Sequence, residues 1–146
     1  MAKVVVAGVD GSDTALRAAR RAAEVAWALG AELHVLSAYG KFEVETFTSG
    51  EEEVVFTSLN DAARTSSRVI AALRQDFPSL SITSAPSEGK PGEALVKAAE
   101  RLDADLVVVG NRRVQGLGRV LGSVARDVAS RAKCDVYVVN TTVSAR

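Results

Sequence analysis

The feature that most constrains the fold is an unbroken run of small and β-branched apolar residues at positions 4–9, which ends in Asp10, Gly11 and Ser12. A run without polar alternation is typical of a strand buried on both faces, and such strands belong to parallel sheets. The helical spacing of apolar residues that follows ends at Gly30, a residue that often terminates helices. The chain therefore begins with a buried strand, a turn and a helix.

The same alternation recurs along the chain. Further strands are predicted at residues 33–38, 80–84, 105–109 and 136–139, and helices at residues 13–29, 59–77, 91–102 and 123–131. Strands that alternate with helices imply right-handed crossovers and a parallel sheet covered on both sides. We predict a single-domain, Rossmann-like α/β fold over residues 1–146, with an open, twisted, five-stranded parallel sheet and helices on both faces.

Residues 39–57 interrupt this alternation. The segment is acidic and mixed, and it shows neither the period of a strand nor that of a helix. We interpret it as a surface loop.

Charge and hydropathy exclude several classes of partner. Eighteen basic residues balance eighteen acidic ones, so the net charge gives no sign of a nucleic-acid or anionic-membrane partner. No apolar run approaches the roughly 20 residues of a membrane span, and the apolar stretch at the start is too short for a signal peptide. We expect a cytoplasmic protein.

The single cysteine and the single histidine are interpreted as structural. Cys134 precedes an apolar run, where a buried thiol is the favoured interpretation over a reactive one. His34 lies within the apolar run of the second strand, which favours a structural over a catalytic role. With one cysteine, the chain cannot form an internal disulfide.

A glycine-rich segment links the fourth strand to the last helix. Between Gly110 and Ser123 it contains four glycines and three arginines. Glycines allow close backbone approach to a phosphate, the amides at a helix start favour an anion, and arginines neutralise its charge. The spacing fits neither a Walker A loop nor the Rossmann dinucleotide fingerprint. The alternative is a flexible loop followed by a helix cap at Ser123.

The chain resembles the universal stress protein family in three motifs that occur in the family's order. Asp10-Gly11-Ser12 follows the first strand, Gly89-x-Pro91 precedes the third helix, and Gly110-Asn111 leads to Gly122-Ser123-Val124. The resemblance covers nearly the whole chain. It implies an adenine nucleotide alpha hydrolase-like fold and an ATP-binding site.

The resemblance assigns the adenine end of this site to the first two strands. Val9 matches the position beside the adenine, and Ala38 matches the position whose backbone reads the adenine edge. Asp10 matches the acidic residue near the phosphates, where it would hold Mg²⁺ through them. Ordinary turn and cap chemistry is the alternative for Asp10.

The resemblance assigns the phosphate end to the glycine-rich segment. Val109 and Gly110 match the pocket wall and the first glycine of the motif. Gly122, Ser123 and Val124 match the terminal positions, where backbone amides and the hydroxyl hold phosphates.

Two departures from the family pattern concern the phosphates. Arg113 replaces the second motif glycine, and the stretch from Gly110 to Gly122 is one residue shorter than in the family. The side chain of Arg113 either blocks the backbone approach to the outer phosphates or, with Arg112, supplies guanidinium groups instead. Gly116 keeps the shortened loop adaptable.

The resemblance implies a stress-response regulator that binds ATP or AMP through a ligand-gated loop and forms a homodimer through the last strand, residues 136–139. An exposed apolar edge strand would favour the same pairing. Alternatives are an interaction protein of the same fold that binds no nucleotide, and a weak ATPase. The sequence shows no nucleophile beside a base, so any enzymatic activity would be slow ATP hydrolysis. The alternative ligands are ATP, AMP and a cyclic nucleotide.

Overall fold

Alternating strands and helices follow one another along the chain in the computed structural model, which describes residues 3–46, 52–57, 59–111 and 122–141. The strands are β1 (Val4–Gly8), β2 (Glu32–Thr46), β3 (Glu52–Thr57), β4 (Ile82–Glu88), β5 (Leu106–Gly110) and β6 (Asp135–Val139). The helices are α1 (Asp13–Leu29), α2 (Leu59–Asp76), α3 (Pro91–Leu102) and α4 (Ser123–Arg131).

Five of the strands form the predicted parallel sheet, in the order β4-β2-β1-β5-β6. The chain first adds strands on one side of β1 and then, after β4, crosses to the other side to add β5 and β6. The reversal places β5 directly beside β1, with Ala7 opposite Val108. Within the described part of the chain β6 pairs only with β5, which confirms its predicted place at an edge.

The prediction of a loop was wrong for residues 39–46 and 52–57, whereas residues 47–51 lie outside the described part of the chain. Strand β2 continues to Thr46 and pairs antiparallel with β3, with Gly40 opposite Thr57 and Thr46 opposite Glu52. The register shifts between Lys41 and Val44, which breaks the two-residue period on which a strand prediction depends. The alternation of polar and apolar residues in this segment is also short, and the acidic run that follows it, at positions 51–53, has a composition typical of a solvated loop.

Two apolar layers hold helices against the opposite faces of the sheet. Val5 and Ala7 face the layer of α1 and α2, whereas Val6 faces the layer of α3 and α4. Helix α1 contributes mainly alanines to its layer: Ala18, Ala19, Ala22, Ala23 and Ala26 are all buried. Such small side chains bring the helix close to the strands, so the core needs few aromatic residues.

The ends of α1 and α3 follow from local chemistry. Ser12 is the N-cap of α1, and its hydroxyl accepts a hydrogen bond from the backbone N–H of Ala15 at 3.1 Å. Gly30 ends the helix with a φ of 66°, which glycine adopts without steric cost. Pro91 occupies the first turn of α3, where its missing N–H has no helical acceptor to lose.

His34 and Cys134 both contribute to packing. His34 is 9% exposed, and its Nδ1 lies 2.9 Å from the hydroxyl of Thr83. Burial, together with the charge of Arg101, lowers the pKa of His34. Cys134 is partly rather than fully buried, and its burial, followed by the charge of Asp135, raises the pKa of the thiol.

The burial of His34 makes stability depend on pH. Because its pKa is lower in the folded than in the unfolded chain, protonation favours unfolding, and stability is lost as the pH falls from about 6.5 towards the folded-state pKa. We expect the melting temperature of the unmodified chain to fall more steeply between pH 7.5 and 5 than that of His34→Gln. All other titrating groups are common to both chains, so parallel curves would contradict this account.

Candidate functional site

The carboxyl ends of β1 and β5 lie side by side where the strand order reverses, and the region beyond these strand ends is named the crevice. The chain leaves β1 towards α1 on one face of the sheet, and it leaves β5 towards α4 on the other face. The helices that follow these two strands therefore lie on opposite faces of the sheet. Open parallel sheets bind ligands at such a point.

Val9 and Asp10 form the β1 side of the crevice. Val9 is 6% exposed, and its N–H donates to the carbonyl of Leu36 at 2.9 Å. Asp10 is exposed, and its Oδ1 accepts hydrogen bonds from the backbone N–H of Ser12 at 2.9 Å and from the Ser12 hydroxyl. Gly11 turns the chain with a φ of 87°. The carboxylate of Asp10 thus performs the turn chemistry that the sequence offered as its alternative role.

Ala38 lies on the adjacent strand at the same edge of the sheet. Gly8 at the end of β1 is opposite Leu36, so Ala38 stands two residues beyond that level. It pairs with Ser87 of β4 and is half-buried. Its backbone is therefore near the crevice.

Val109 and Gly110 form the β5 side of the crevice. Val109 is 3% exposed and packs in the layer beneath α3 and α4. A Cβ added to Gly110 would lie 3.1 Å from the methyl group of Thr141 and 3.6 Å from the Cβ of Ala18. A side chain at this position would crowd the methyl group of Thr141, which favours glycine here.

The start of α4 supplies groups suited to an anion. Gly122 is the N-cap with extended backbone, Ser123 is the first helical residue and is exposed, and Val124 is partly buried. The first N–H groups of a helix have no intrahelical acceptor, and the helix dipole favours negative charge beside them. Arg112, Arg113 and Gly116 lie outside the described residues.

Sequence reasoning missed two residues beside this crevice. The side-chain carbonyl of Asn111 accepts hydrogen bonds from the N–H and the hydroxyl of Thr141, which is 3% exposed. Thr141 follows β6, 30 residues further along the chain. No local pattern in the sequence pairs these positions, because the contact arises only when β5 and β6 are aligned.

A cavity of about 190 Å³ lies between the first turn of α1 and α2. Its lining residues are Val9, Gly11, Ser12, Asp13, Leu16, Thr65, Arg68, Val69 and Ala72. Of the residues predicted to bind nucleotide, it includes only Val9. Sequence reasoning did not identify Thr65 or Arg68, which α2 brings to this cavity.

A metal-binding cluster and a membrane-spanning helix are both absent from the described residues. Among these, no group of three or more His, Cys, Asp or Glu side chains is arranged to hold a metal ion. In the same part of the chain, no helix has the length and apolar character needed to cross a membrane.

Solved structures with this fold include nucleotide complexes. A universal stress protein in complex with cAMP is 34% identical, covers 97% of this chain and 98% of its own, and superposes with a TM-score of 0.74. A universal stress protein from Archaeoglobus fulgidus in complex with dAMP is 26% identical, covers 94% of this chain and 97% of its own, and has a TM-score of 0.67.

Sequence relatives and a family model indicate the same family. A universal stress protein of Mycobacterium tuberculosis is 36% identical over 96% of this chain and 97% of its own length. One from Methanocaldococcus jannaschii is 31% identical over 94% of this chain and 81% of its own. The model of the Universal stress protein family matches residues 1–140. This chain therefore belongs to the universal stress protein family.

Proposed function

We propose that the protein is a cytoplasmic regulator of the stress response that binds an adenine nucleotide in the crevice between β1 and β5. The observation that carries this proposal is the convergence of three elements at one edge of the sheet: the Asp10 turn, the end of β5 at Gly110, and the start of α4 at Ser123. The complexes of related proteins with cAMP and dAMP support it.

The two ends of the proposed nucleotide have different partners. The adenine lies against Val9 and is read by the backbone of Ala38. The phosphate lies at the start of α4, where the N–H groups of Gly122, Ser123 and Val124 and the Ser123 hydroxyl are the donors. An anion at such a helix end is stabilised by hydrogen bonds and by the helix dipole together.

A nucleotide with one phosphate group, such as cAMP or AMP, fits the sequence departures better than ATP does. The loop is one residue shorter than the family pattern, and Arg113 stands where the family has a glycine. Both features reduce the backbone available to the outer phosphates. The two related complexes also contain nucleotides with a single phosphate group.

ATP with Mg²⁺ is the second candidate ligand, and Asp10 is the residue that favours it. A carboxylate next to a polyphosphate is stabilised by a bridging cation, and Mg²⁺ prefers oxygen ligands of this kind. Binding ATP in this way would be compatible with slow hydrolysis of the nucleotide.

A regulatory role fits the side chains around the crevice better than catalysis. The hydroxyl of Ser123 has no histidine beside it, because His34 is buried against Thr83 in another part of the sheet. The Oδ1 atom of Asp10 already accepts two hydrogen bonds from Ser12. Binding that orders a loop and alters a partner surface needs neither a nucleophile nor a base.

Calorimetric titration with cAMP, AMP and ATP, each with and without Mg²⁺, tests the choice of ligand. We expect cAMP or AMP to bind at least about tenfold more tightly than ATP, a difference of roughly 1.4 kcal/mol. If the Arg113 side chain excludes the outer phosphates, Arg113→Gly should reduce this difference in affinity between ATP and the nucleotides with one phosphate group. Arg113→Lys, which keeps a long cationic side chain, should leave the difference unchanged. Failure of the unmodified chain to bind any of the three would contradict the proposed function.

The first amide of α4 can be removed without disturbing the helix. Proline is tolerated at the first helical position, and the extended backbone of Gly122 suits the residue before a proline. Ser123→Pro should therefore fold normally but bind nucleotide on the order of tenfold more weakly, because it loses an N–H donor to a charged phosphate.

Ser123→Ala is the matched control, since it removes only the hydroxyl. Its affinity should lie between those of Ser123→Pro and the unmodified chain. Equal affinities for all three chains, measured by the same titration, would exclude the start of α4 as the phosphate site.

We also propose that two chains pair through the β6 edges of their sheets. The carbonyl of Val139 accepts a hydrogen bond from Asn111 on the β5 side. Backbone polar groups point alternately to the two sides of a strand, so the N–H and C=O of Val138 face away from β5. An edge with such groups is a template for pairing with a second strand.

Val138→Pro should convert the dimer into a monomer. It removes an outward N–H while leaving the β5–β6 hydrogen bonds in place, so the fold should persist. Val138→Thr, which keeps the N–H, should remain dimeric. Light scattering after size exclusion gives the molar mass of each, and an unchanged dimer in the proline variant would rule out pairing through β6.

A further inference from the structure

The cavity of about 190 Å³ between α1 and α2 has a size of its own. All of its lining residues belong to the described part of the chain, and only Val9 is shared with the proposed nucleotide crevice. The volume is below the roughly 300–1,000 Å³ of pockets for drug-sized ligands. It is enough for about six water molecules at roughly 30 Å³ each. The cavity therefore suits a molecule smaller than a nucleotide.

The two helices that bound the cavity are tied together at one end of it. Arg20 of α1 forms an ion pair with Asp76 of α2, and each lies about one turn beyond the last cavity residue of its helix. At the cavity itself, Gly11 has no side chain and Ala72 has a single methyl group. These small residues leave the space between the helices open.

The base of the cavity is apolar. Val9 and Val69 are 6% and 5% exposed and belong to the buried layer beneath α1 and α2, and Leu16 packs against the same layer. Thr65 and Ala72 are partly buried on the α2 wall. A ligand that reaches this base must place an apolar group there, because a polar group buried without a hydrogen bond costs free energy.

Two opposite charges line the cavity from different helices. Asp13 lies in the first turn of α1, Arg68 lies on α2, and both residues are exposed. Within the described part of the chain, they form an ion pair neither with each other nor with another side chain. A simple anion would meet the carboxylate of Asp13, and a simple cation would meet the guanidinium of Arg68. A zwitterion pairs favourably with both.

The Ser12 hydroxyl, which also lines the cavity, is already engaged in the turn before α1. It accepts a hydrogen bond from the N–H of Ala15 and donates one to Oδ1 of Asp10. The charged groups of a ligand are therefore recognised by Asp13 and Arg68.

We propose that this cavity is a second ligand site, which takes a small zwitterionic amino acid with an aliphatic side chain, such as leucine or valine. The carboxylate of the ligand pairs with Arg68, its ammonium group pairs with Asp13, and its side chain lies against Leu16 and Val69. The inference is independent of the proposed function, because it requires neither a nucleotide nor the crevice between β1 and β5.

Titration of the unmodified chain with L-leucine, followed by backbone amide NMR, tests the site. We expect saturable shifts at Ser12, Thr65 and Ala72. Three matched compounds separate the contributions to binding. Isocaproate lacks the ammonium group, isoamylamine lacks the carboxylate, and L-asparagine keeps both charges on a polar side chain of similar size. Each should bind at least about fivefold more weakly than L-leucine.

Four variants test the residues assigned to the ligand. Arg68→Gln and Asp13→Asn each remove one charge at nearly constant size, so each should weaken binding of L-leucine about fivefold. Arg64→Gln is the matched control, because Arg64 is exposed one turn earlier on α2 and does not line the cavity. It should bind L-leucine like the unmodified chain. Ala72→Leu fills the cavity and should abolish the saturable shifts, while its NMR spectrum reports whether it is folded.

Three results would each overturn the proposal. The first is the absence of saturable shifts at the cavity residues when L-leucine is added to the unmodified chain. The second is equal affinity for L-leucine and isocaproate, which would indicate a site for anions alone. The third is an equal loss of affinity in Arg64→Gln and Arg68→Gln, which would indicate a general effect of charge. None of these results bears on nucleotide binding.

Discussion

The parallel pairing of β1 with β5 is the contact on which the rest of the structure depends. It joins segments about 100 residues apart and places Val5, Val6 and Ala7 opposite Leu106, Val107 and Val108 at the centre of the sheet. Because the order in which strands are added reverses there, the helices that follow the two strands lie on opposite faces of the sheet. The crevice at the strand ends is a direct result of this topology.

Close packing around this pair explains several small residues near the crevice. A Cβ on Gly8 would lie 2.9 Å from a methyl carbon of Leu95, and one on Gly110 would lie 3.1 Å from the methyl of Thr141. On the face of the sheet that α1 covers, the helix packs closely against the strands through alanines such as Ala18. Packing on the α1 side of the sheet thus favours a glycine at position 110, whatever role its backbone has towards a ligand.

The sequence predicted the parallel sheet because its strands are continuous apolar runs and its helices carry clear end signals. Ser12, Gly30 and Pro91 each marked a boundary through local chemistry. The β2–β3 hairpin escaped prediction because a register shift breaks its alternation. The link between Asn111 and Thr141 escaped for a different reason: it depends on the alignment of two strands and has no local signature. The cavity at Thr65 also has no local signature in the sequence, because its lining residues come from two helices that are distant along the chain.

The central claim is that an adenine nucleotide binds across the carboxyl ends of β1 and β5, with its phosphate at the start of α4. Backbone amide NMR spectra of the protein with and without cAMP test it most directly. The account predicts that the largest shifts fall on Asp10, Gly110 and Ser123. Shifts that fall mainly on Thr65, Arg68 and Ala72 would instead place the ligand in the cavity beside α2, and would contradict the account.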